Sequence, residues 1–308
     1  MSQFQHLPLF FCTWPHPLFF AFDVVSLDGE AFLLMGDEMM SRRCQVMART
    51  RHSRFHATFD TSPNVCAILW SMIDLAMMPK GAKAFHMMWA LMLLKLHCAE
   101  SVLSSLAGGV HEETFRKWSW CFVEAISHLQ CKVIVWNNHF KNDIGNICLV
   151  SVDGTDFQIY LWGEFLTGWF SHKFKGPGLR YEVALCIRTG HIVWINGPFP
   201  CGQWPDLKTF RSNLMKRLGK NEKVIADDGH RGELNHIQTP SEENDILQTT
   251  RSRHETVNKR FKQWSILHRV FRHELGKHQS AFGAVAVITQ LALENEEPLF
   301  PVDYVEEE

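Results

Sequence analysis

No run of the 308-residue chain is long and apolar enough to suggest a membrane span. The longest helical apolar stretch, Met87 to Leu96, already contains Lys95 and falls far short of the ~20 residues a bilayer demands. No basic segment precedes the apolar stretch Leu7 to Phe22, and Pro8, Pro15, His16 and Pro17 interrupt it, so a secretory signal is not expected. No C-x-x-C pair occurs among the nine cysteines, which are odd in number and scattered, a pattern that predicts reduced thiols in an intracellular protein. Neither a G-x-x-x-x-G-K-[ST] loop nor a G-x-G-x-x-G turn is present, so no motif points to nucleotide-driven or dinucleotide chemistry. His273-Glu274-x3-His278 imitates a zinc-protease motif, but its five-residue spacing turns the second histidine ~140° around a helix where H-E-x-x-H needs four. That pair reads as solvent-facing.

An excess of one charge is missing too. Lys plus Arg number 31 against 33 for Asp plus Glu, a net charge of -2, so nucleic-acid binding has no global signature and must come from local patches. What is abundant is apolar surface: at 46% hydrophobic and 21% charged residues, the chain is no disordered polymer and can bury a large core.

Along the chain, residues 1–60 show little periodicity beyond a basic cluster of Arg42, Arg43, Arg49, Arg51 and Arg54, and read as an irregular arm. From 61 to 135 the pattern is helical. Met87, Met88, Leu91 and Met92 follow three-to-four spacing and read as core; a helix over Ala99 to Leu106 breaks at Gly108-Gly109, and another opens near His111 and runs to about His128. Helix, glycine turn, helix with Arg116 and Lys117 outward is the outline of a DNA-binding helix-turn-helix, and equally that of an ordinary αα-hairpin with core tryptophans at 118 and 120.

From 136 onward strands alternate with helices. Ile147 to Val152 reads as a buried strand ending at Asp153, Tyr181 to Arg188 and His191 to Asn196 as a hairpin turning at Thr189-Gly190, and Pro198 to Pro205 as a loop. Asp206 to Leu218 reads as helix, Lys223 to Ala226 as a strand terminated by Asp227-Asp228-Gly229, Glu242 to Trp264 as a long amphipathic helix, and Phe282 to Leu293 as a last apolar one. An acidic tail closes the chain over 305–308. The fold class expected is α/β.

Strand ends in an α/β sheet are where ligands and metals collect, so Asp153 and Asp227 are candidate site residues. On the long helix, Arg251, Glu255, Asn258 and Lys262 fall within a stripe about 60° wide, offering a carboxylate among cations. Three such acids suit a two-metal site, because hard oxygens hold Mg²⁺ while leaving positions for phosphate and water. Glu255 could instead spend its charge on intrahelical pairs with Arg251 and Lys259. Local charge favours a polyanion: nine Lys or Arg lie between His172 and Lys220 against Glu182 and Asp206, and eight between Arg251 and Lys277 against Glu255 and Glu274. His254 reads as a surface or DNA-contacting residue.

The succession Val152-Asp153-Gly154-Thr155-Asp156, then Ile225-Ala226-Asp227-Asp228-Gly229-His230, then Arg253-His254-Glu255 with Lys262 downstream resembles the DDE transposases, specifically the PIF/Harbinger-like DDE superfamily endonucleases. Arg251-x3-Glu255-x6-Lys262 is similar to the Y-x2-R-x3-E-x6-K signature of bacterial insertion-sequence transposases, with Gln248 at the Tyr position; His230 and Asp228 depart from the D-[ST]-G-Y motif. The resemblance spans roughly Lys83 to Tyr304. It implies a ribonuclease H-like mixed sheet with flanking helices over 136–304, preceded by a helix-turn-helix-like region over 61–135.

By that resemblance Asp153 and Asp227 would share one Mg²⁺, and Asp153 with Glu255 would hold a second, Mn²⁺ serving as substitute. Asp156 and Asp228 stand as second-choice ligands. Arg116, Lys117, Lys173, Lys175, Arg251 and Lys262 would contact DNA. The implied activity is endonucleolytic cutting, and joining, of DNA in the nucleus by a homo-oligomer, with or without a separate DNA-binding partner and with no membrane association. The alternative is a transposon-derived DNA-binding protein without catalytic activity.

Overall fold

Asp28 Oδ1 accepts a hydrogen bond from the Ala31 N–H at 2.9 Å, which caps helix α1 (Gly29–Met39), with Glu30 complementing its N-terminal dipole. In the computed structural model the residues described are 26–40, 47–140, 148–163, 166–239 and 245–302, with backbone alone for Asp228 and for 245–247. Helix α2 (Ala48–Phe59) lies against α1. Phe55 and Phe59 are fully buried with Phe32 and Leu33, and Gly36 admits the ring: a Cβ there would stand 2.6 Å from Phe55 Cδ2. Arg51 ties the two helices together through Asp37 at 2.7 Å and Glu30 at 3.2 Å.

This corrects the irregular arm: over 29–39 and 48–59 the segment is helical and lodged in the core. Its pattern is faint because the only deeply buried positions of α2 are Phe55 and Phe59, one turn apart amid polar residues. Arg42 and Arg43 fall outside the described residues.

Ser62 Oγ accepts from the Val65 N–H at 3.1 Å and Pro63 supplies the preset φ of the first turn in α3 (Pro63–Met72). Helix α4 (Ala84–Leu96) is buried on nearly every side, Met87, Met88 and Met92 included, which makes it the hub of the helical region. Helix α5 (Glu100–Leu106) turns through Gly108 and Gly109, both at positive φ, into α6 (Glu112–His128), as their spacing predicts. Helix α6 places Phe115, Trp120, Phe122, Val123 and Ile126 in the core against α4, and a short α7 (Gln130–Val133) follows.

The second half is built on β1 (Cys148–Gln158), β2 (Phe170–Ser171), β3 (Gly176–Cys186), β4 (Ile192–Pro200), α8 (Asp206–Ser212), β5 (Lys223–Ala226), β6 (Ile237–Gln238), α9 (Asp245–Gln263), α10 (Ser265–His268) and α11 (Leu275–Asn295). The fold is mixed α/β: a six-stranded, mostly antiparallel mixed sheet flanked by helices. Its strands run β4-β3-β1-β5-β6, with β2 also pairing β3; β1 with β5 and β5 with β6 are parallel, the others antiparallel.

Three boundaries differ from the sequence reading. Strand β1 does not close at Asp153 but continues to Gln158, because its antiparallel partner β3 accompanies it to Gln158↔Gly178 while the parallel β5 stops at Val152↔Ala226. Strand β4 runs through Pro198 and Pro200, tolerable on an edge strand whose outer N–H groups need no partner. Helix α8 ends at Ser212, and a 3₁₀ turn over Leu214–Arg217 replaces its second half.

One hydrophobic cluster reaches from Leu27 to Leu299, joining α1–α7 to α9–α11 and to Phe157, Leu179, Tyr181, Val183 and Leu185 on one sheet face. The core therefore runs across residue 135. The other sheet face packs Val150, Val152, Ala184, Val224 and Ala226 on Phe210 and Leu214. Among the described residues, the cysteines at 66, 98, 121, 131, 148, 186 and 201 are free thiols, and no helix is long and apolar enough to cross a membrane.

Because Phe55 is fully buried, Phe55→Ala is expected to cost about 3–5 kcal/mol in urea unfolding of the full chain. An unchanged midpoint would contradict the placement of α2 in the core.

Candidate functional site

Parallel pairing of β1 and β5 ends at Val152↔Ala226, so Asp153 and Asp227 follow side by side on neighbouring strands. Helix α9 lies over the face to which Ser151 and Asp153 point. His254, buried, hydrogen-bonds Ser151 Oγ at 2.8 Å, and Asn258 Nδ2 donates to Asp153 Oδ2 at 3.1 Å. These two contacts fix the register of helix over strand. They turn the Arg251-Glu255-Asn258-Lys262 stripe into a cavity of about 680 Å³.

Asp153, Asp227, Glu255, Lys173, Arg251, Lys259 and Lys262 all line that cavity. Four cations thus face three carboxylates. Among the described residues the side chains of Lys173, Arg251, Glu255, Lys259 and Lys262 make no ion pair and no hydrogen bond, so the intrahelical pairs available to Glu255 are not formed. Burial, and then the charge of Lys173, hold the Lys262 ammonium below its ordinary pKa. Their proximity makes a cationic wall that gains by meeting an anion.

Asp227 is held differently from Asp153. Its Oδ1 accepts from the Gly229 N–H at 3.0 Å and pairs with His230 Nδ1 at 2.9 Å, the imidazole being buried beneath it. The bond from His230 depresses the Asp227 pKa against the opposing effect of burial. Burial in turn pulls His230 down, but Asp227, Asp206 and Glu182 outweigh it and leave the imidazole raised. Asp153 Oδ1 and Asp227 Oδ2 carry no hydrogen bond among the described residues.

The remaining sequence-predicted residues lie elsewhere. Asp156 is corrected as a second-choice ligand: the continued strand turns it to the opposite face, where Arg180 grips both its oxygens at 2.8 and 3.1 Å and Ser171 Oγ donates at 2.8 Å. Asp228 opens a 3₁₀ turn, and its side chain lies outside the described ones, as does the acidic tail 305–308. Arg116 is exposed on α6 yet bound through Nε to both oxygens of Glu100 at 2.8 Å, and Lys117 sits 5.5 Å over the Trp118 ring. Lys175 is exposed and not among the cavity-lining side chains.

Histidines were misread most. His254 is a buried brace, not a surface residue. His278 is fully buried with its Nδ1 at 2.8 Å from Tyr181 Oη, and His273 Nε2 sits 3.3 Å from His97 Nε2, so neither forms a solvent-facing pair. Arg253, counted among the local positive charges, is also buried and donates to the Phe300 and Ile187 carbonyls.

Two acids escaped the sequence reading. Asp206, the first residue of α8, meets Arg180 at 3.1 Å and approaches β1 only because Gly154 has no Cβ to obstruct its carboxylate. Glu182 on β3 is 2% exposed, accepts at Oε2 from Trp194 Nε1 at 3.0 Å and Asn196 Nδ2 at 3.4 Å, and leaves Oε1 buried without a partner among the described residues. Neither follows a motif; strand alternation alone would have pointed Glu182 inward.

No protein-family model, curated protein or solved structure matches this chain. Hard carboxylate oxygens at Asp153 and Asp227 fit a cation such as Mg²⁺ in kind and in adjacency. Glu255, exposed on the facing helix, does not close the set: among the described residues no three His, Cys, Asp or Glu side chains converge to hold a metal ion.

Burial pushes the Glu182 carboxyl up to about 7. Because the folded state holds this proton more tightly than the unfolded chain, the contribution of Glu182 to stability is full below the ordinary value of 4.5 and is lost as pH rises through about 7. Glu182→Gln abolishes that dependence: relative to the wild type it is expected to gain on the order of 3 kcal/mol between pH 5 and 8 in urea unfolding. An equal difference at both pH values would refute it.

Proposed function

We propose that the cavity between β1, β5 and α9 is a DNA phosphodiester-cleaving site working with Mg²⁺, in the manner of the DDE transposases and endonucleases that the chain resembles. The observation that carries this reading is that Asp153, Asp227 and Glu255 line one cavity with four cations that make no ion pair among the described residues. Support from the fold is coarser: a mixed sheet whose central strand β1 bears the first acid beside the second on β5 accords with a ribonuclease H-like domain.

Asp153 and Asp227 would hold one ion; Glu255, which does not converge with them here, would share a second with Asp153 only once DNA and metal draw α9 and the strands together. Bound there, Mg²⁺ lowers the pKa of a water and neutralises charge on the leaving oxygen. The chain's own residues do the rest. Asn258 fixes the rotamer of Asp153, and His230 keeps Asp227 ionised and oriented. Arg251, Lys262 and Lys173 bind phosphodiester oxygens and so orient phosphorus over the carboxylates.

A second reading, a DNA-binding protein of transposon origin without catalysis, draws on the absence of a converged three-donor cluster among the described residues.

Nicking of supercoiled plasmid with Mg²⁺ separates the two. Asp153→Asn, Asp227→Asn and Glu255→Gln are each expected to lose nicking by at least about 100-fold with DNA affinity nearly intact, since affinity resides in phosphate contacts. Equal nicking by all four proteins would discard the catalytic assignment. Binding without nicking by any of them would favour the second reading. Arg251→Gln and Lys262→Gln should each weaken binding uniformly across sequences and lower the slope of log K against log salt by about one.

A further inference from the structure

The loop that leaves β1 carries an exposed apolar patch unexplained by packing. Trp162 is 84% exposed, Leu166 61% and Tyr160 45%, while most large apolar side chains are buried. The two aromatic rings brace one another edge-to-face, their centroids 4.9 Å apart at 80°. Such a contact stiffens the indole while leaving its faces open to solvent.

The patch adjoins the charged cavity. Tyr160 N–H donates to the Phe271 carbonyl at 2.8 Å, and Phe271 follows the cavity-lining His268 by three residues, at most ~11 Å of chain. On the other side of the loop, Lys173 lines the same cavity, two residues beyond β2. Lys173, in the turn between β2 and β3 beside Gln158, and the aromatic pair just beyond Gln158 therefore lie at the same end of β1.

We propose that Trp162 and Tyr160 form a stacking platform for unpaired nucleobases, so that the substrate of the cavity is DNA with a single-stranded segment beside the phosphate engaged there. The proposal rests on the cavity being a DNA phosphate site and adds which DNA it takes. A base in a duplex is stacked on both faces and has none to offer an indole. An unpaired base has a free π-face, and stacking on an aromatic side chain tolerates any sequence. The proximity of the cationic wall favours a nucleic acid over an apolar protein surface, because the occupant must satisfy both patches at once.

Binding of labelled single-stranded and blunt duplex oligonucleotides of equal length, without metal, tests this on the full chain. Trp162→Ala is expected to lose about tenfold affinity for the single strand and less than twofold for the duplex, with Trp162→Phe restoring most of the loss. Unchanged single-strand affinity in Trp162→Ala, or an equal loss on both DNAs, overturns the platform. So does a dimer of the wild type in sedimentation that dissociates in Trp162→Ala, which would assign the patch to a second copy of the chain. Lys262→Gln, measured in parallel, separates the two ideas. Loss of binding in Lys262→Gln with none in Trp162→Ala sinks the platform alone, whereas no binding by the wild type sinks the cavity reading and the platform with it.

Discussion

The unequal length of the partners flanking β1 is the constraint on which the site depends. Strand β3 supports β1 along its whole course, whereas β5 leaves it after Val152↔Ala226. Past that point that edge of β1 has no strand partner among the described residues until Phe271 N–H meets the Gln158 carbonyl at 3.0 Å, and the carboxylates of Asp153 and Asp227 stand at the start of the opening. A one-residue slip in this pairing would move Asp153 to the α8 face. Two polar contacts resist that slip, His254 with Ser151 and Asn258 with Asp153, both placed where a misregistered helix would leave buried polar atoms unpaired.

The two faces of the sheet divide the labour. Toward α9 the cations Lys173, Arg251, Lys259 and Lys262 make no ion pair among the described residues and line an open cavity, which suits a ligand. Toward α8 the charges are spent on one another: Asp156, Arg180 and Asp206 form a half-buried chain of ion pairs, and Glu182 and His230 lie close enough to feel the same charges. Such a network adds little net stability, because desolvation offsets Coulomb attraction, but it punishes any rearrangement that strands one partner. Its connection to the open face is His230, which belongs to the buried network and holds Asp227 from below.

Elements with strong local signals were legible in the sequence. The α5 to α6 turn at Gly108-Gly109, the brief strand Lys223 to Ala226, the hub helix with its methionines and the long helix bearing Glu255 all lie where periodicity and glycines put them. Helix α2 was missed because two phenylalanines among polar residues make no repeat, and the length of β1 because alternation does not reveal how far a partner strand extends. The histidines failed for a related reason: an imidazole is equally at home in water or beneath a helix once a single hydroxyl meets it, as Ser151 meets His254 and Tyr181 meets His278.

By itself the sequence determined that the chain is an α/β protein with a helical region over 61–135, and it nominated Asp153, Asp227 and Glu255, since periodicity and the 60° stripe of α9 are properties of consecutive residues. Tertiary structure alone decided that these acids and the unpaired cations share one cavity, that Asp156 is neutralised by Arg180 on the far face, and that Glu182 is buried beside His230. The physical reason is distance along the chain. Those relations join residues tens to a hundred positions apart through strand pairing and core packing, and no local pattern encodes which partner a strand or a charge will meet.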